Sequence, residues 1–119
     1  MRIEADIDLA HERGEHPTRH TPELESTIYR LVQESLTNAI KHADATRARV
    51  AIEERDEAVL VRVEDNGRGF DAGAVSRGFG LAGMRERVEL AGGELAIESR
   101  DGGGTLVRAS LPAVHLDPA

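Results

Sequence analysis

The sequence predicts an α+β fold: a two-layer sandwich in which a mixed, mostly antiparallel sheet carries its helices on one face. Three observations predict it. Strand-like and helix-like stretches alternate as strand, helix, two strands, glycine-rich loop, helix, two strands. The paired strands are separated by short turns, which make hairpins rather than parallel crossovers. The chain has 119 residues, 39% of them hydrophobic and 31% charged, which suits one soluble domain.

Each element has its own signal. Residues 1–9 alternate Ile3, Ala5, Ile7 and Leu9 with charged neighbours, the period of a half-buried strand. Residues 10–20 hold Gly14, Pro17 and His11, His16 and His20. They read as a solvated loop, because nothing nearby in sequence completes a metal-ligand set. Thr21-Pro22-Glu23 is a helix start, with a hydroxyl cap, proline in the first turn and an acid beside the helix dipole. The helix runs to about Ala43 on Ile28, Leu31, Val32, Leu36, Ala39, Ile40 and Ala43, at steps of three and four.

Residues 47–54 and 58–65 read as a hairpin across Arg55-Asp56-Glu57, with Val59, Val61 and Val63 on one face. Asp65-Asn66-Gly67-Arg68-Gly69-Phe70 ends the second strand. Residues 71–79 read as a mobile loop. A second helix follows over about 81–91, on Leu81, Met84, Val88 and Ala91, and Gly92-Gly93 closes it. A last hairpin joins 94–99 to 105–111 through Gly102, Gly103 and Gly104, which read as a plain turn. Pro112 ends a domain spanning 1–112, and 113–119 read as a frayed tail.

Composition removes several functions. There is no Trp, with only two Phe and one Tyr, so the core is aliphatic. With no Cys, thiol catalysis, disulfides and thiolate metal sites are excluded. The net charge of −7 argues against nucleic acid as a partner, since phosphate-backbone binding rests on surplus Lys and Arg. Apolar runs are too short to span a membrane, no signal peptide is visible, and no membrane contact is expected of this domain. A cytoplasmic domain is therefore expected, and its abrupt start suggests a piece of a longer protein.

The informative stretch is Glu34-Ser35-Leu36-Thr37-Asn38-Ala39-Ile40-Lys41-His42-Ala43. Glu34, Asn38 and Lys41 share one edge of the helix by their spacing. That edge is either a solvated face or the polar wall of a pocket. Glycines at 67, 69, 78, 80 and 83 flank the later loop, where glycine permits close backbone approach to a ligand. Gly80 precedes a helix N-terminus, where free N–H groups favour an anion. Gly78-Phe79-Gly80-Leu81-Ala82-Gly83 matches the dinucleotide pattern of glycines, but no strand leads directly into it, and the P-loop pattern is absent.

Taken together these residues resemble the histidine-kinase ATP-binding domain of the gyrase, Hsp90, histidine kinase and MutL superfamily. Glu34 through His42 resembles its N box, Asp65 through Phe70 its G1 box, Gly78 through Leu81 its G2 box, and Gly103-Gly104-Thr105 its late Gly-Thr element. All four fall in the family's order over about residues 24–112. Tyr29 through Glu34 and the short Gly80–Gly93 segment resemble the sensor-kinase branch paired with NarL-like response regulators.

The resemblance implies a Bergerat-type ATP-binding fold with ATP and Mg²⁺ as cofactors. Asn38 is then the metal ligand, and Glu34 orients a metal-bound water or acts as a base. Lys41 and His42 lie near the phosphates. Asp65 accepts the adenine amino group, and Gly67 and Gly69 pass close to the base. Gly80, Leu81 and Ala82 offer N–H groups to phosphate, and Thr105 supports Asp65. The resemblance also implies a partner dimerisation domain that carries the phosphoacceptor histidine. His11-Glu12 does not supply one, since Gly14, Pro17 and Pro22 break any helix there. The chain alone is thus expected not to phosphorylate itself, and a membrane anchor in the parent protein is compatible with this. An anti-sigma factor or serine switch kinase of the same superfamily, and a nucleotide-binding relative without catalysis, are the alternatives.

Overall fold

The computed structural model of the chain describes residues 1–69, 80–100 and 103–117. Its elements are β1 (Arg2–Asp8), α1 (Pro22–Lys41), β2 (Arg47–Arg55), β3 (Ala58–Asp65), α2 (Leu81–Leu90), β4 (Glu94–Arg100) and β5 (Gly104–Pro112). They form the expected α+β arrangement. One five-stranded sheet runs in the order β1-β2-β3-β5-β4; β1 pairs parallel to β2, and the other pairings are antiparallel.

The core follows the period-two pattern. Val50 faces Val63, Val63 faces Val107, and Val107 faces Ile97, so one stripe crosses four strands. Leu24 and Leu31 of α1 and Leu81, Met84 and Val88 of α2 pack with Val50, Val61, Val63 and Val107 in one cluster. Both helices therefore cover the same face. Arg49, Leu60, Arg62 and Arg108 point the other way and are exposed. No helix among the described residues is long and apolar enough to cross a membrane.

Helix ends behave as the sequence chemistry requires. Thr21 sits in extended backbone and its hydroxyl accepts the Leu24 amide, capping α1. At the end of α2, Gly92 has φ +81°, its amide bonds Glu89 and that of Gly93 bonds Val88. This is a Schellman ending, and a Cβ at Gly93 would lie 2.3 Å from the Ser110 carbonyl.

Four expectations need correction. β1 is a strand, but it is not half-buried: Ile3 and Ile7 are 48% and 54% exposed. α1 packs over β2 and β3 and α2 over β4, leaving an open apolar groove between β1 and the Ile28, Tyr29 and Val32 side of α1. The first hairpin turns on two residues rather than three, since Arg55 pairs with Ala58; Asp56 and Glu57 carry φ of +53° and +63°. This is the doubly left-handed backbone of a tight hairpin, here without glycine.

The loop at 10–20 and the tail after Pro112 are also not simply solvated. Ala113 N–H bonds the Glu57 carbonyl, Thr21 N–H bonds Val114, and Leu116 N–H bonds Arg19, while His20 and His115 form a β-bridge. The tail is docked through Asp117, because each end of the chain supplies backbone partners that the other lacks. The loop predicted at 71–79, with Phe70, Gly78 and Phe79, lies outside the described residues.

Candidate functional site

The polar edge of α1 is graded. Glu34 is half-buried, Asn38 is only 6% exposed, and Lys41 is exposed at the last turn. A buried amide in mid-helix is unfavourable both for helix propensity and for desolvation, so Asn38 requires a reason. It lies between two glycine-bearing segments that close on the same helix.

The first segment follows β3. Arg68 N–H bonds the Ala43 carbonyl, and the Arg68 guanidinium bonds the His42 carbonyl, each at 2.9 Å. Gly67 is pressed against this helix end: a Cβ there would lie 2.5 Å from the Ala43 oxygen and 2.6 Å from its Cβ. Only glycine permits the approach. Asn66 holds the segment from the other side, its side-chain oxygen accepting the Thr46 and Arg47 amides at 2.9 Å.

Asp65 is the titratable group of this corner. Gly67 N–H donates to its Oδ1 at 2.8 Å, and the Thr105 amide, opposite it on β5, also donates to the carboxylate. Burial pushes the Asp65 pKa above its ordinary value, and these two amides only partly offset it. The sign is informative, because desolvation here outweighs the local donors. Two amides also leave carboxylate lone pairs for a further donor.

Thr105 is itself buried, and its hydroxyl pairs with Ser99 at 3.1 Å, so Thr105 supports Asp65 through its backbone. Gly104 corrects the plain-turn reading of its cluster. With φ +86°, it lies so close that a Cβ would be 2.3 Å from the Asp65 carbonyl oxygen.

The second segment is the start of α2. Gly80 is the N-cap, in left-handed backbone, with no side chain capping the first turn. Gly80 itself therefore offers no side-chain acceptor to the amides of that turn. A Cβ at Gly80 would lie 3.0 Å from Glu34 Oε2, so the turn closes directly on the acid of α1. Arg87, two turns later, reaches Glu34 Oε1 at 3.6 Å. Glu34 Oε2 and Arg87 Nη1 are buried and have no hydrogen-bond partner. These are the orphaned polar atoms of a cradle built for something else.

The predicted site residues thus sort by place. Glu34 on α1 meets Gly80, Gly67 meets Ala43 just past the end of α1, and Thr105 and Gly104 back Asp65. Leu81 is buried in the core and Ala82 is exposed. Gly69 is half-buried with φ +75°. His42 caps α1, its N–H bonded to Asn38, and Lys41 is exposed. Sequence reasoning missed Arg87 and Asn66, and read Gly104 only as part of a turn and a motif. Arg87 had a signal, since it lies three residues after Met84 and beside Val88, on the inner edge of α2. A cavity of the outer sheet surface, lined by Arg2, Glu4, Arg47, Arg49 and Glu64, also borders Asp65 and Asn66 but excludes the α1 wall.

Residues 23–115 match the family described as histidine kinase-, DNA gyrase B- and HSP90-like ATPase. The chain belongs to this ATPase family. Its curated relatives include the signal transduction histidine-protein kinase/phosphatase DegS of Brevibacillus brevis, 41% identical over 89% of this chain, and that of Bacillus subtilis (strain 168), 37% identical over 79%. The chain spans about a quarter of their length, 27% and 26%. Among solved structures, the Erythrobacter litoralis EL346 blue-light activated histidine kinase superposes with a TM-score of 0.71 at 28% identity. It covers 93% of this chain and 35% of its own. Its histidine kinase domain gives 0.70 at 29% identity over 93% of this chain and 51% of its own. The family is one of ATPases, so nucleotide use belongs to the domain as a whole.

Proposed function

We propose that this domain is the ATP–Mg²⁺-binding catalytic part of a sensor histidine kinase. It serves a phosphoacceptor histidine on a dimerisation domain outside this chain, upstream of a NarL-like response regulator. The observation that carries this reading is the convergence on one helix of a buried amide, an acid with an unpartnered oxygen, and two glycine segments.

Bound ATP with Mg²⁺ supplies the transferable phosphoryl group. The rest is the chain's own work. The Asp65 carboxylate accepts from the adenine amino group; guanine would present a carbonyl there, and acceptor against acceptor is repulsive. Gly67 and Gly69 keep the base pocket free of side chains. Asn38 holds the metal through its side-chain oxygen, one protein ligand being enough because Mg²⁺ retains water and takes phosphate oxygens. Glu34 orients a water or takes a proton. The amides at Gly80, Leu81 and Ala82 meet phosphate at the N-terminus of α2, and Lys41 and His42 add positive charge and hydrogen bonds nearby.

Calorimetry with ATP and ADP, with and without Mg²⁺, tests the nucleotide site. Incubation with γ-labelled ATP and a supplied dimerisation domain tests the transfer. Label is expected on the histidine of the added domain and none on this chain alone. Label on a partner serine would instead establish the switch-kinase alternative, and absence of nucleotide binding would sink the reading altogether.

A further inference from the structure

A second polar cluster lies around the start of α1. His20, Glu54 and His115 come from the loop before α1, the end of β2 and the segment after β5. His20 and Glu54 are 4% and 5% exposed. His20 Nε2 lies 2.7 Å from Glu54 Oε1, and His115 Nε2 lies 2.7 Å from Glu54 Oε2. One potential ligand atom from each falls within 4.8 Å of the others.

The protonation of His115 can be worked out from its partners. Its Nδ1 lies 2.8 Å from the Thr18 carbonyl, which only accepts, so Nδ1 carries a proton. In the neutral ring, Nε2 then points a lone pair at a carboxylate oxygen, and a positive species must lie between them. A second proton on His115 is one solution. A metal ion is the other. Among the described residues His20 Nδ1 is buried with no partner, whichever cation is present. An imidazole whose far N–H is fixed on a backbone carbonyl has the tautomer and orientation of a metal ligand.

We propose that His20, Glu54 and His115 bind one divalent transition-metal ion of the zinc class, which staples the start of α1 to the two ends of the chain. Two imidazoles and one carboxylate form a zinc-type donor set, whereas Mg²⁺ prefers oxygen throughout. Zinc bonds of ~2.0–2.1 Å in a tetrahedron place ligand atoms about 3.3 Å apart, so the 2.7 Å contacts open by about 0.6 Å on binding. Desolvation, with His115 next, holds His20 below its ordinary pKa. Glu54 Oε1 accepts the Ala10 amide at 3.1 Å, a bond that favours the ionised carboxylate. A neutral imidazole and an ionised carboxylate are the forms that ligate. Water completes the fourth position; His16 only stacks on His115, with ring centroids 3.5 Å apart. His20 immediately precedes the Thr21 cap, and Thr21 N–H bonds Val114, so the ion would fix where the nucleotide-bearing helix begins.

The test uses the whole chain, stripped with a chelator and titrated with Zn²⁺, Co²⁺ or Mg²⁺. One equivalent of Zn²⁺ is expected to bind and raise the melting temperature, Co²⁺ to give the intense visible bands of a four-coordinate site, and Mg²⁺ to do neither. Glu54→Gln and His115→Asn should each weaken Zn²⁺ by roughly 100-fold or more, at least what lost second-shell partners cost. His11→Ala, exposed and outside the cluster, should leave binding unchanged. Should the cluster variants fail to fold, the wild-type cobalt spectrum and stoichiometry still decide. Absent bands, no uptake, or zinc binding that survives His115→Asn would overturn the site and leave a proton as the cation. ADP binding to the metal-stripped chain reads the nucleotide site separately.

Discussion

The two ends of α1 make an instructive comparison. At its start, Glu54 accepts from Ala10 and faces two imidazoles, and backbone bonds tie both chain ends around it. At its far half, Glu34 keeps an unpartnered buried oxygen beside an equally unpartnered Arg87 nitrogen, with glycines pressed close. The first cluster is organised by sequence-distant segments that hold the fold, with one unpartnered atom, His20 Nδ1; the second holds two, one on each of two facing helices, among the described residues. A buried polar group costs free energy unless satisfied, so an unsatisfied set concentrated on one wall marks a ligand site more sharply than burial does.

Mutation can break this contrast. Asp65→Asn should have the largest effect. It offers an N–H where adenine also donates, and ATP affinity should fall about 100-fold in calorimetry, with or without Mg²⁺. Stability should move the opposite way. The Asp65 pKa is raised in the fold, so the stability this group lends is present below its ordinary 3.8 and is lost as pH rises through the folded value. Urea midpoints should decline over that acidic window in the wild type and decline less in Asp65→Asn. A variant that loses both nucleotide and stability at neutral pH would show that Asp65 holds the corner rather than reads the base.

Asn38→Ala should cost about 10-fold in ATP affinity when Mg²⁺ is present and little in metal-free buffer, separating a metal ligand from a packing residue. Gly104→Ala should cost roughly 2 kcal/mol of folding stability, because its backbone is left-handed and its Cβ would strike the Asp65 carbonyl. Chemical denaturation measures this, and nucleotide binding should weaken with it, since the same strand positions Asp65.

The smallest effect belongs to neither end. Asp56 and Glu57 occupy left-handed turn positions that suit Asn-Gly, so replacing the pair should add about 1 kcal/mol of stability and leave ATP affinity unchanged. A loss of stability would mean that the Ala113–Glu57 backbone bond depends on this turn as it stands.

Most of the fold was legible because its signals are local. The Thr-Pro-Glu start of α1, the Val59-Val61-Val63 alternation and the Gly92-Gly93 ending each report a backbone geometry from a few residues. The polar wall of α1 was legible in part. Glu34 and Asn38 share a helix edge by spacing, and the glycine clusters mark close approach. Arg87 was not read, and Gly104 only as part of a turn and a motif, because what each touches lies across the fold: Glu34 on another helix, and Asp65 on a neighbouring strand.

The sequence by itself determined the strands, the helices, their caps, the aliphatic core and the four motifs that identify an ATPase-family domain. Those depend on periodicities and turn chemistry that act over a few residues. Only the tertiary structure decided that Asn38 is a wall and not a wet surface, that burial raises Asp65, that β1 stays open, and that the tail docks. It alone brought Glu54 and His115 to His20, turning a loop read as solvated into a buried cluster. Burial and desolvation are properties of neighbours, and the neighbours that matter here lie tens of residues apart in the chain.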